Sequence, residues 1–364
     1  MLFFELLQIA LGNRERLSVT PSEAEWTELF SFAQEQTLVG IAFTGIELLP
    51  VEQRPPKMLL MQWYSLANLI KVRNAEQDRK SLAVANRFLK DCFKSVMLKG
   101  QGMAKLYAKG EYRVPGDIDI WLEGDRKTIM NWVSDYSPKN APVYHNVSIC
   151  PIGGTEIEIH FTPSWMNCYF TNRTLQNFFR QYSKKIFCNE EHLVISEDGS
   201  CCYKQLPVPP LEFNRVFILV HIYRHLFGEG IGLRQLMDYY HVLCQGFTEE
   251  ERSETLNILK SLKMLRFAGA VMYVLQTVFG MKDAFLLLPP DEKEGRFLLN
   301  EIMQAGNFGH YDKRIKRVAN ESALHVFFRR TIRNLRFIRS YPSEVLWTPL
   351  FKIWHFTWRK YHGY

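Results

Sequence analysis

Asp117 and Asp119 stand two residues apart in Arg113-Val114-Pro115-Gly116-Asp117-Ile118-Asp119-Ile120. In a strand, that spacing puts both carboxylates on one face and Ile118 and Ile120 on the other. Two acids so close repel each other and lose hydration on burial, and a divalent cation is the common neutraliser of such a pair. The same spacing also fits an edge strand with one solvated face, because D-x-D is short enough to arise by chance. Upstream, Ser95-Val96-Met97-Leu98 ends in Lys99-Gly100-Gln101-Gly102 before a helical stretch, an arrangement whose backbone N–H groups receive phosphate oxygens. Downstream, Glu156, Glu158 and His160 share a face of another alternating run and offer a third carboxylate. A strand, a glycine loop, a helix, paired acids and an acid on a later strand make up the parts for metal-assisted nucleotidyl transfer.

The elements that must position these residues follow from periodicity. Up to about Phe93 the apolar residues recur every three or four positions, predicting amphipathic helices, with Thr20 as an N-cap ahead of Pro21 and Glu23 and a long helix from about Met58 to Cys92. Between about 95 and 206 the pattern becomes mixed. It predicts a strand at 95–98, a helix at 103–108, a strand at 117–122, a helix at 125–136, and strands 144–150 and 155–161 around Gly153-Gly154. A second hairpin is expected around Asp198-Gly199. From Pro209-Pro210 the helical period returns, with helices at about 210–227, 232–245, 249–279, 291–305, 318–340 and 343–360. The expected class is α+β, with a helical region at 1–93, an α/β catalytic domain at 94–206 and a C-terminal helical domain at 207–364.

In this setting the sequence resembles the polymerase-beta-like nucleotidyltransferases, and within them a bacterial family of uncharacterised nucleotidyltransferases. The resemblance rests on Val96-Met97-Leu98-Lys99-Gly100, on Arg113 with Gly116-Asp117-Ile118-Asp119-Ile120, on Ile157-Glu158-Ile159-His160, and on His225 with Gly232-Leu233-Arg234 and Asp238. It implies a mixed sheet in which Asp117 and Asp119 ligate Mg²⁺ (or Mn²⁺) on the triphosphate of ATP or another NTP. Glu158 would be the third carboxylate, completing a metal position and helping to activate an acceptor hydroxyl. Lys99, Gly100, Gln101, Arg113, Gly116 and Arg234 would then face the nucleotide. The family's loop usually has Ser after Gly, where this chain has Gln101, so Lys99 or Gln101 would replace that hydroxyl contact. The implied reaction moves a nucleoside monophosphate to an acceptor hydroxyl, on a small molecule, protein or RNA, with release of pyrophosphate. A catalytically silent module that binds a protein, nucleic acid or membrane is the competing reading.

Several signals have plainer explanations beside the functional one. Arg113 equally fits a surface turn. Arg234 and Asp238, four apart on a helix, equally fit a local ion pair. His221 and His225 lack the H-E-x-x-H pattern and fit either a packed face or the cleft.

Composition bounds the whole. The 364 residues carry 45 Lys+Arg and 38 Asp+Glu, a net charge of +7, and are 47% hydrophobic, as in an ordinary globular protein. The charge is uneven: residues 310–364 hold twelve cations and three acids. This basic, aromatic tail suits a polyanion or an anionic membrane surface, or simply a solvated cationic face. The seven cysteines are scattered and never spaced as C-x-x-C, which disfavours disulfides and zinc. No apolar run is long enough for a membrane span, and the N-terminus lacks a signal peptide's basic region, so a cytoplasmic protein is expected.

Overall fold

A computed structural model describes residues 1–136, 142–152, 154–188, 193–195, 201–314 and 321–362. The chain forms two compact units, each assembled from three stretches. The first comprises Met1–Ala75, Ala104–Pro115 and Gly228–Asn320, and the second Glu76–Met103, Gly116–Phe227 and Glu321–Tyr364.

Helices α1 (Leu2–Ala10), α2 (Glu23–Glu35), α3 (Val39–Leu48) and α4 (Lys57–Lys90) come first. The cap of α2 is Ser22 rather than Thr20. Its hydroxyl accepts the Glu25 N–H at 3.3 Å while the Glu25 carboxylate accepts the Ser22 N–H at 2.7 Å. That reciprocal pair needs an acid three residues after the cap, and Ser22 with Glu25 satisfies it.

The mixed region begins with β1 (Ser95–Met97), α5 (Gln101–Ala104), β2 (Ile118–Leu122) and α6 (Arg126–Tyr136). It continues through β3 (Asn146–Ile152), β4 (Thr155–His160), α7 (Tyr169–Cys188), β5 (Leu193–Ile195) and β6 (Cys201–Tyr203). The helix expected at 103–108 is instead the single turn α5, and α7 is a twenty-residue helix that the sequence patterns did not predict. The expected turn at Asp198-Gly199 lies outside the described residues, although β5 and β6 pair antiparallel on either side of it.

The remaining helices are α8 (Leu211–Gly228), α9 (Leu233–Cys244), α10 (Glu249–Ser261), α11 (Leu265–Phe279), α12 (Glu292–Ala305), α13 (Ala323–Leu335) and α14 (Pro342–Tyr361). The single helix expected over 249–279 is two, because Lys263 takes a left-handed φ of 59° and the Met264 N–H reaches back to Leu259 O at 2.8 Å, closing α10. The chain is thus a mainly helical α+β protein with a small mixed sheet.

In the first unit, Phe3, Leu6 and Leu7 of α1 are fully buried and α1 packs on α3 and α11. A Cβ on Gly45 would lie 2.6 Å from Leu6 O, so only glycine lets α1 and α3 approach this closely.

In the second unit, the four-stranded sheet runs β1-β2-β4-β3, with β2 and β4 parallel and the outer pairs antiparallel. Alternation divides its faces. Ile118, Ile120 and Leu122 join Ile157 and Ile159 in a core closed by Val84, Ala85 and Phe88 of α4 and Ile129 and Val133 of α6. Each such side chain contributes about 1.5–3 kcal/mol when fully buried. On the opposite face Trp121 packs against Phe179 and Phe187 of α7 and Phe213 of α8. Asp119 therefore lies on a covered face and not on a solvated edge, and it is only 2% exposed.

Candidate active site

Parallel pairing of β2 with β4 sets Asp119 opposite Glu158 and Trp121 opposite His160. Asp117 immediately precedes β2, is exposed, and lies close enough to Asp119 to feel its charge. The three carboxylates named from sequence are thereby gathered in the second unit, and His160 joins them. Oxygen and nitrogen atoms of Asp119, Glu158 and His160 lie within 4.8 Å of one another. Two carboxylates and an imidazole suit a divalent cation, so the donor set fits one.

A buried carboxylate needs compensation, and Asp119 has two partners. The Lys99 Nζ is 2.7 Å from Asp119 Oδ1, and the His160 Nε2–H donates to the same oxygen at 3.0 Å. Burial raises a carboxyl's pKa, but the Lys99 charge and the His160 hydrogen bond overcome it and hold Asp119 well below the usual carboxylate range. Lys99 shows the converse. Burial favours the neutral amine, yet the charges of Asp119, Asp117 and Glu158 raise its pKa. The Asp119 charge, followed by burial, pushes the Asp117 carboxyl up against the pull of Lys99.

Glu158 is positioned from the next strand, where the Asn146 Nδ2–H donates to its Oε2 at 2.6 Å. Burial lowers the His160 pKa, but its contacts with Asp119 and Glu158 reverse the sign and raise it. His145, whose ring centroid is 5.3 Å from that of His160, and His221 of α8 are both held well below the usual histidine value. Burial is the main cause, followed by the charge of Arg224 for His145 and of Lys99 for His221. Neutral imidazoles therefore line this face. Sequence spacing did not single out Asn146 or His145. The pairing of Asn146 with His160 across β3 and β4 places them there.

The glycine loop differs from a long-helix phosphate cradle. Gly100 has a φ of 56°, and the helix after it is the single turn of α5, too short for a substantial dipole. The Gln101 Nε2–H donates to Asp78 Oδ1 at 2.7 Å, tying the loop to α4. Gly116 O accepts from Gln77 Nε2 at 2.8 Å.

Arg113 and Arg234 belong to the first unit. There Arg113 makes a two-pronged ion pair with Asp238, Nε to Oδ1 at 2.7 Å and Nη2 to Oδ2 at 2.8 Å, while the Tyr107 O–H donates to Oδ1 at 2.6 Å. Arg113 is 3% exposed, so it is not a surface turn residue. Burial opposes ionisation of Asp238, but the adjacent guanidinium lowers its pKa. The charge of Arg234 also acts on Tyr107 and Asp238. The six cysteines with described side chains are all unbridged.

No curated protein matches the chain. Among solved structures, an antigenic nucleotidyltransferase-like protein from Paracoccidioides brasiliensis is similar over 60% of this chain and 96% of its own, at 10% identity and a TM-score of 0.33, too remote for a residue-level comparison. Residues 22–280 match the family of uncharacterised nucleotidyltransferases, a span that contains Lys99, Asp117, Asp119, Glu158 and His160. The chain belongs to that uncharacterised nucleotidyltransferase family.

Proposed function

We propose that the second unit transfers a nucleoside monophosphate from an NTP to an acceptor hydroxyl. The hydroxyl oxygen bonds to the α-phosphorus as the bond to the bridging oxygen breaks, the hydroxyl proton is lost, and pyrophosphate leaves. The observation that carries this reading is the register that sets Asp119 against Glu158, with Asp117 two residues earlier feeling the Asp119 charge.

Asp119, Glu158 and His160, with Asp117 beside them, would hold Mg²⁺ or Mn²⁺. Such an ion supplies Lewis-acid neutralisation of phosphate charge at the reacting centre. The chain's own groups align and balance. Asn146 fixes the Glu158 carboxylate, and Lys99 and His160 hold the buried Asp119 in its ionised form. Lys99 is the cation that can turn from Asp119 to the triphosphate, and the backbone at Gly100 gives phosphate oxygens close approach. Arg113 is committed to Asp238, so the proposal gives phosphate binding to Lys99.

One observation favours the second reading, a silent binding module: Lys99 and Gln101 are already engaged by Asp119 and Asp78. Thermal unfolding separates the two. The enzyme reading expects Mg²⁺-dependent stabilisation by at least one NTP, lost in Asp119→Ala. Absence of any shift with every NTP and with Mg²⁺ or Mn²⁺ sinks it. α-Labelled NTPs added with cell extract would identify the acceptor, and a folded, NTP-binding protein that labels nothing would support the binding module.

A further inference from the structure

Helices α13 and α14 each leave an apolar stripe on the surface besides the residues they pack inward. On α13, Leu324, Phe328, Ile332 and Leu335 fall on one stripe and are all exposed, Ile332 by 67%. On α14, Leu346, Leu350 and Ile353 do the same, with Leu350 54% exposed. Their inward faces mix apolar with polar groups: Val345 is buried and Phe351 stacks on Trp165, beside two polar anchors. The Asn334 Nδ2–H donates to Phe227 O at 2.9 Å, and Glu344 accepts the Asn167 N–H at 2.6 Å. Hydrogen bonds and apolar packing together anchor the two helices, and the outer apolar stripes remain on the surface, a pattern that marks an interaction site.

The charge of the same segment is one-sided. Residues 321–362 hold eight Lys/Arg and two acids. Both acids are spent, Glu321 on Arg329 at 2.6 Å and Glu344 on backbone amides. Where α13 and α14 meet, Lys352 Nζ is buried with no hydrogen-bond acceptor. Burial, together with the charges of Arg330 and Arg333, lowers its pKa to about 8. Net positive charge concentrated on one segment draws polyanionic surfaces.

We propose that α13 and α14 dock the protein on the surface of an anionic phospholipid bilayer, the apolar stripes entering the headgroup boundary and the cations meeting lipid phosphates. The two stripes are chiefly aliphatic, which suits acyl chains, and the exposed rings of Trp354 and Phe356 on α14 suit the headgroup boundary. A second copy docked through this face would bring two cationic segments together, a juxtaposition that opposes pairing. Among the described residues no helix is long and apolar enough to cross a membrane, so the contact is with the surface.

Co-sedimentation of the full chain with vesicles tests this. Vesicles of phosphatidylcholine containing about one-third phosphatidylglycerol should bind it about tenfold or more tightly than phosphatidylcholine alone, and added salt should weaken the binding. Ile332→Asp with Leu350→Asp should reduce binding about tenfold or more at unchanged melting temperature, because both positions are exposed. Arg330→Gln with the exposed Lys360→Gln should weaken binding to the anionic vesicles. No binding to anionic vesicles, or the same binding by the Ile332→Asp, Leu350→Asp variant, overturns the proposal. Preferential capture of RNA by the full chain with vesicles present, or a dimer that the same substitutions dissociate and vesicles do not, also overturns it.

Discussion

Each unit buries an acid against a cation, and the two arrangements differ in how fully the charges are matched. In the first unit Asp238 receives both prongs of Arg113 and the Tyr107 hydroxyl, a closed set with each carboxylate oxygen satisfied. In the second, Lys99 and His160 share one oxygen of Asp119, while Asp117 and Glu158 add two further acids. The closed set holds backbone segments together. The open set keeps unbalanced negative charge in place, the condition under which an added cation is taken up.

The largest expected effect tests the closed side. Asp238→Ala leaves the Arg113 guanidinium buried and unpaired, and should cost about 3–5 kcal/mol in urea unfolding. Asp119→Ala should cost less, about 1–3 kcal/mol, because Asp117 and Glu158 remain near Lys99. Equal losses for the two variants would erase the distinction.

Next in size is the response to a divalent cation. At one hundred times its Kd, Mg²⁺ or Mn²⁺ should stabilise the unmodified protein by about 2.7 kcal/mol. Asp119→Ala should lose that gain, and Lys99→Met should keep or enlarge it because a competing ammonium is gone. A gain that survives Asp119→Ala moves the cation elsewhere.

The smallest effect is a pH dependence. The folded-state pKa of His160 is raised above the usual 6.5, so its contribution to stability is complete below that value and fades as pH rises through the folded one. Without divalent cations, unfolding free energies from pH 6 to 9 should fall for this reason, and Asp119→Ala should flatten the slope. An unchanged slope in that variant would show that Asp119 does not hold the imidazolium.

Much of the fold is written in local pattern. The alternation around Asp117–Leu122 and Glu156–Phe161 fixes which side chains face the core, and the glycines near 153 signal the hairpin of β3 and β4. Local pattern is weaker where residue type and spacing disagree. Helix α7 buries Thr171, Leu175, Phe178, Phe179 and Ile186 at helical spacing, yet it is rich in aromatic, Asn and Thr residues that are poor helix formers. Packing of Phe179 and Phe187 on Trp121 outweighs that propensity. The break between α10 and α11 rests on a left-handed lysine, a conformation with no compositional mark.

Residue type and spacing of two determined the paired acids, the facing isoleucines and the third acid on a later strand, because strand alternation is a local property of the backbone. Only the tertiary structure decided that Glu158 faces Asp119, that Lys99 and His160 share one oxygen of it, and that Arg113 reaches Asp238. These pairings join residues as far apart as 125 positions. They depend on strand register and on how the chain returns through each unit, and local sequence spacing encodes neither.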